Sequence, residues 1–184
     1  MSGIIGDNVG RSSGLVKSAG GGGVILKVKS MKFTGTASET GTSPTQLSDF
    51  DMSFAPTTSD GKLLFQAYIC AGVTTSASIA FYFYDVTNST IIGAYGDSDG
   101  TRLQVGVTDS ITDTTYHSVP SLVSWHEPGT TSSIDYTIFG NAHETKTLFI
   151  NRNNDWVDTA TIDNAVGAST FTITEYAAST VTLT

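Results

Sequence analysis

An all-β sandwich or barrel is the fold this sequence predicts, on three observations. Charged residues make up only 14% of the 184 positions, where soluble domains usually carry about a quarter. Thr, Ser, Asn and Gly supply the missing polarity, and these suit strands and turns better than helices, which draw on Glu, Lys, Arg and Ala. Apolar residues fall in short runs bounded by Asp, Asn, Gly and Thr clusters, with no stretch that reads as a helix. The length predicts one globular body rather than two.

Residues 1–23 come first and cannot build a core. They hold eight glycines and a scatter of apolar residues, Ile4, Ile5, Val9, Leu15 and Val16, too little surface to offset the entropy of ordering. The pairs Ile4-Ile5 and Leu15-Val16 are spaced as two separate anchors, and the four glycines at 20–23 make a joint. The segment reads as an extended Gly-rich arm, followed by a body over 24–178 and a short extension over 179–184. Charge divides in nearly the same way within a total of -8. Residues 1–32 set Arg11, Lys17, Lys27, Lys29 and Lys32 against Asp7, a net of +4; the remaining 152 residues set four basic groups against sixteen acids, a net of -12. An acidic body repels nucleic-acid backbones and anionic membranes, so neither is an expected partner. The basic leader is suited to acidic protein surfaces, copies of its own body included.

The strands follow in order. VILKVKSMKF (24–33) alternates and then slips phase, which predicts a bulge near Ser30. FDMSF puts Phe50, Met52 and Phe54 on one face and stops at Pro56. The Asp60-Gly61 pair then predicts a hairpin turn. KLLFQAYICAGV (62–73) and SASIAFYFYDV (76–86) are continuous apolar runs, which predicts central strands covered on both faces. STIIGAYGD, RLQVGVTDS, HSVPSLVSW, SIDYTIFG, TLFINR and TFTITEY complete a set of about nine strands. Pro44, Pro56, Pro120 and Pro128 all fall where a central strand would not accept them. In the extension, Val181 and Leu183 alternate like one more edge strand. Cys70, the single cysteine, lies in an apolar run, which predicts a buried thiol and no internal disulfide. No basic segment followed by an apolar one opens the sequence, and no run approaches the roughly 18 apolar residues of a membrane span, so the expectation is a protein soluble when made.

In the last third, EPGTTSSIDYTIFGNAH, LFINRNNDW and ASTFTITEY occur in an order that resembles a domain of structural proteins of tailed bacteriophages, especially those of marine and cyanobacterial hosts. SFAPTTSDGKLLFQAYI resembles the early hairpin of the same domain, and together these stretches cover most of 45–178. The opening SGIIGDNVGRSSGLVK resembles leader segments of phage fibre and head proteins. The resemblance implies a jelly-roll sandwich like the heads of the tumour necrosis factor class, assembled as a homotrimer and located in the virion. The chain departs from the family at its end, where AASTVTLT follows ITEY.

Residue patterns for catalysis are weak. GDSDG (96–100) offers Asp97 and Asp99 but not the twelve-residue calcium loop, and reads as a polar turn. His126-Glu127 and His143-Glu144 are adjacent pairs whose members point to opposite faces of a strand, so each pair gives at most one ligand to a common metal. No enzyme activity, cofactor or metal is expected. NRNNDWVD (151–158) places Asn153, Asn154 and Trp156 in one polar stretch, a composition that suits a subunit interface or a sugar-binding loop tip. The expected function is that of a virion structural protein, made in the host cytoplasm: a capsid decoration or cement protein held to the major capsid protein or other virion proteins by Ile4, Ile5, Arg11, Leu15, Val16 and Lys17 of the arm. The alternative is a tail fibre that recognises a host surface glycan through the loop bearing Trp156.

Overall fold

The structure, a computed structural model, describes residues 24–93, 104–154 and 167–181. Twelve strands run through them: β1 (Ile25–Phe33), β2 (Ala37–Thr40), β3 (Thr45–Phe54), β4 (Lys62–Tyr68), β5 (Ala71–Val73), β6 (Ala77–Asp85), β7 (Thr90–Ile92), β8 (Val107–Ile111), β9 (Ser121–His126), β10 (Ile134–Ala142), β11 (Thr147–Ile150) and β12 (Ser169–Tyr176). No α-helix occurs among the described residues. One sheet has the order β1-β12-β4-β9, the second β3-β10-β6-β7 with β8 also on β6, and a small third sheet β2-β11-β5 closes one end. Every pairing is antiparallel. The chain passes repeatedly from one large sheet to the other, which is the jelly-roll arrangement.

The core lies between the two large sheets. Phe50, Met52 and Phe54 of β3 are buried on one side of their strand, as FDMSF predicts, and Phe171, Ile173 and Glu175 of β12 face the same interior. Phe65 is its centre, with ring centroids 4.9 Å from Tyr136, 5.4 Å from Phe83 and 6.0 Å from Phe171. Cys70 is buried, and burial pushes its thiol up from the ordinary value. All four prolines lie outside strands.

Three expectations need correction. The register irregularity in β1 falls between Ile25 and Lys27, and from Lys27 to Phe33 the pairing with β12 is continuous, so no bulge lies near Ser30. The Asp60-Gly61 turn does not close a hairpin, because β3 pairs with β10 and β4 with β12 and β9. It carries the chain between sheets and is held by the buried Glu175 carboxylate, which accepts from the backbone N–H of Thr57 (2.8 and 2.9 Å) and Thr58 (3.1 Å). The run at 62–73 is not one strand covered on both faces. It breaks after Tyr68 into β4 and β5 of different sheets, and β4 buries only one side. At the C-terminal end, Ala178–Thr180 form a 3-10 turn; Leu183, the other half of the expected edge strand, lies outside the described residues.

Candidate functional site

Register fixes which side chains share the outer face of the β1-β12-β4-β9 sheet. Leu63, Phe65 and Ala67 of β4 point into the core, so Leu64, Gln66 and Tyr68 point out. Transverse rows then cross the sheet: Ile25, Tyr176 and Lys62; Val28, Thr174, Leu64 and Trp125; Ser30, Thr172, Gln66 and Val123; Lys32, Thr170, Tyr68 and Ser121. Trp125 and Tyr176 meet across it at 5.4 Å, and the Ser30 and Thr172 hydroxyls at 2.7 Å. The β4–β9 register extends to the Ala71–Ser118 bridge, which gives Val119 the same parity as Val123. Val24, Ile25, Val28, Tyr68, Val119 and Val123 are 48–58% exposed. None of these rows contains a carboxylate; Lys62 pairs with Glu127 just beyond β9.

The leader joins this face at its corner. Val24 accepts a hydrogen bond from the Ala177 N–H (3.0 Å) and lies half-exposed beside Ile25. The arm residues Ile4, Ile5, Arg11, Leu15, Val16 and Lys17 lie outside the described residues. Lys27 and Lys29 follow the other parity of β1 and turn inward. Lys27 Nζ donates to the Ala55 carbonyl (2.6 Å) and sits 4.8 Å over the Phe54 ring, and Lys29 Nζ donates to the Ser53 carbonyl (2.7 Å). Both β1 and β3 are edge strands, and these amines occupy carbonyls at the end of β3 that would otherwise template another chain. Two of the leader's five cations are therefore engaged at the body's own exposed edge, which corrects the reading that gave the whole basic charge to partner surfaces.

In the stretch singled out at 151–158, Asn153 is buried, and its Nδ2 donates to the Thr115 carbonyl (3.0 Å). It is therefore not a surface amide. Asn154 is half-buried and its N–H donates to the Thr114 carbonyl (3.3 Å), while Trp156 lies outside the described residues. The Arg152 guanidinium packs 3.9 Å over the Phe149 ring, and burial holds it below its ordinary pKa. The residue missed by sequence reading is Asn151, fully buried with φ of 60°. Its Nδ2 donates to the carbonyls of Phe33 (2.9 Å) and Gly35 (2.8 Å), and its Oδ1 accepts from the Ser169 hydroxyl (2.7 Å), which in turn accepts from the Cys70 N–H (2.9 Å).

A buried polar group lies at the end of the sandwich where β6, β9 and β10 meet. Asp85 accepts from the Asn88 N–H and Nδ2, both at 2.8 Å, and its Oδ2 lies 3.9 Å from His126 Nε2. His126 packs edge-on against Phe65 and Tyr136. Burial lowers the His126 pKa, with Asp85 and Glu127 partly opposing, and raises that of Tyr136, with Asp85 adding to the effect. His143 is exposed with Glu144 at the opposite end of β10, so the two His-Glu pairs do not converge. Among the described residues no three His, Cys, Asp or Glu side chains are grouped to hold a metal. The Asp97 and Asp99 turn lies outside the described residues.

No family model and no curated protein matches the chain. Among solved structures, it is similar to a chain in the structure of infectious bursal disease virus Gx strain, at 8% identity and a TM-score of 0.38. It is also similar to one in the crystal structure of the infectious bursal disease virus VP2 subviral particle, at 10% and 0.36. These likenesses cover 83% and 82% of this chain but 38% and 37% of those chains, so the chain spans well under half the length of the proteins it matches. Likenesses at that level do not bear on function, and the fold stands on the strand order and register described above.

Proposed function

We propose that the chain is a structural protein of a bacteriophage virion, made in the host cytoplasm and incorporated as a head decoration or cement protein, assembled as a homotrimer. The observation that carries this reading is where the leader joins the body. Val24 and Ile25 stand half-exposed at the corner of a carboxylate-free sheet face that also exposes Val28, Tyr68 and Val123, and on this reading the leader and that face contact the same virion partner. The resemblance to phage structural proteins supports it, since the resembling stretches coincide with β4, β10, β11 and β12 and the turn before β4. On this reading the arm is laid along the major capsid protein or neighbouring subunits. Its backbone adds to their sheets, Ile4-Ile5 and Leu15-Val16 fill small apolar pockets, and Arg11 and Lys17 face acidic side chains.

Ordering a segment of this length costs on the order of 1–2 kcal/mol per residue, which only a repeated interface of large area offsets. Copy number tests the reading. Quantitative band densitometry on purified particles is expected to give copies comparable in number with the head subunits. A count near that of the tail proteins overturns decoration in favour of a fibre that binds a host glycan.

A further inference from the structure

The buried group of Asp85, His126 and Tyr136 holds more polar atoms than the protein satisfies. Tyr136 is fully buried and Asp85 nearly so, yet Tyr136 Oη and His126 Nε2 are buried atoms with no hydrogen-bond partner in the protein. The large majority of buried polar side-chain atoms find a partner, either another protein group or an ordered water. Two orphans side by side, next to a buried carboxylate, point to a ligand held between them.

Register brings the three side chains to one place. Tyr136 of β10 lies directly across from Asp85 of β6, and side chains opposite each other on paired strands share a face, here the inner one. His126 of β9 comes from the facing sheet, with its ring edge-on to Tyr136 at a centroid distance of 5.9 Å and its Nε2 3.9 Å from Asp85 Oδ2. The Tyr136 pKa is raised first by burial and then by the Asp85 charge, in keeping with a carboxylate close to the phenol. Asp85 Oδ2 accepts from Asn88 Nδ2 at 2.8 Å, and a carboxylate oxygen has a second lone pair for another donor.

We infer that Asp85, His126 and Tyr136 form a binding site for one internal water molecule, which bridges the two large sheets. The 3.9 Å between His126 Nε2 and Asp85 Oδ2 is too long for a direct hydrogen bond. It suits two groups that share a water, since two legs of about 2.8 Å span it at an angle of about 90°. The water donates one O–H to Asp85 Oδ2 and the other to His126 Nε2, and accepts the phenolic O–H of Tyr136. Three bonds are the usual complement of a buried water, and neutral His126 then carries its proton on Nδ1. A metal ion does not fit, because no three His, Cys, Asp or Glu side chains are grouped to hold one among the described residues. β9 is the edge strand of its sheet, so the water ties that edge to β6 and β10 of the facing sheet.

Two measurements on the full chain test the site. A crystal structure that orders internal water is expected to show one peak at about 2.7–3.2 Å from Tyr136 Oη, His126 Nε2 and Asp85 Oδ2. No peak there, a peak with the contacts of about 2.0–2.6 Å that mark a bound cation, or a direct bond from Tyr136 Oη or His126 Nε2 to another protein atom overturns the inference. The second measurement is the sign of the stability change in Tyr136→Phe, read by urea denaturation. If the phenol donates to a water, its removal deletes a hydrogen bond and is expected to lower the folding equilibrium constant about three- to tenfold. If the hydroxyl is buried and unmet, its removal relieves a desolvation penalty and raises that constant. A Tyr136→Phe protein as stable as wild type, or more stable, overturns the inference.

Discussion

His126 shows how a single residue couples the core to solvent conditions. Its ring packs against Phe65 and Tyr136, its Nε2 is buried without a hydrogen-bond partner, and Asp85 stands 3.9 Å away. Burial outweighs the nearby carboxylates and lowers its pKa below the unfolded value of about 6.5. His117 is lowered by burial as well. A depressed histidine binds fewer protons folded than unfolded, so its contribution to stability is complete above the unfolded value of about 6.5 and is lost as pH falls below it and through the lower folded pKa. Urea midpoints measured from pH 7.5 to 5 are expected to fall with acid in wild type and to fall less steeply in His126→Phe, with His117 retaining part of the slope. Equal slopes in the two proteins contradict the assignment. Nothing local in SWHEP distinguishes a buried histidine from an exposed one; the difference comes from Asp85 and Tyr136, distant in sequence and brought together by β6 and β10.

At the level of elements, alternation within one strand was legible and pairing between strands was not. Phe50, Met52 and Phe54, or Phe171 and Ile173, declare an inward face by period alone. The small sheet β2-β11-β5 was hidden, because ASET and AGV are too short to carry a period and exist as strands through partners far along the chain. The Asp60-Gly61 turn was misread as a hairpin for the same reason, since turn chemistry is local while the sheet that receives the next strand is not. Asn151 is the pin at such a joint, linking the end of β1, the start of β5, the end of β11 and the start of β12. Asn151→Asp replaces a donating amide by a carboxylate facing the Phe33 and Gly35 carbonyls. It is expected to destabilise the fold by about 3 kcal/mol, from two lost donors and the burial of charge. Chemical denaturation measures this, and a loss under about 1 kcal/mol contradicts the role given to Asn151.

At the level of the whole molecule, charge and the place where the leader meets the body combine into one account of assembly. The division between a basic leader and an acidic body was readable from the sequence, although Lys27 and Lys29 prove to be edge plugs of the sandwich. The exposure of Val28, Tyr68 and Val123 on the outer sheet face was not readable, because an apolar residue on a strand looks the same in sequence whether or not a second layer covers it. The central claim is that residues 1–23 fix the body to a virion. Particles lacking the protein, incubated with the full chain or with a chain deleted of residues 1–23, test it most directly by the number of copies that cosediment. The full chain is expected to bind to saturation, and the deleted chain to remain folded and self-associated but unbound. A deleted chain that binds particles to the same level contradicts the account.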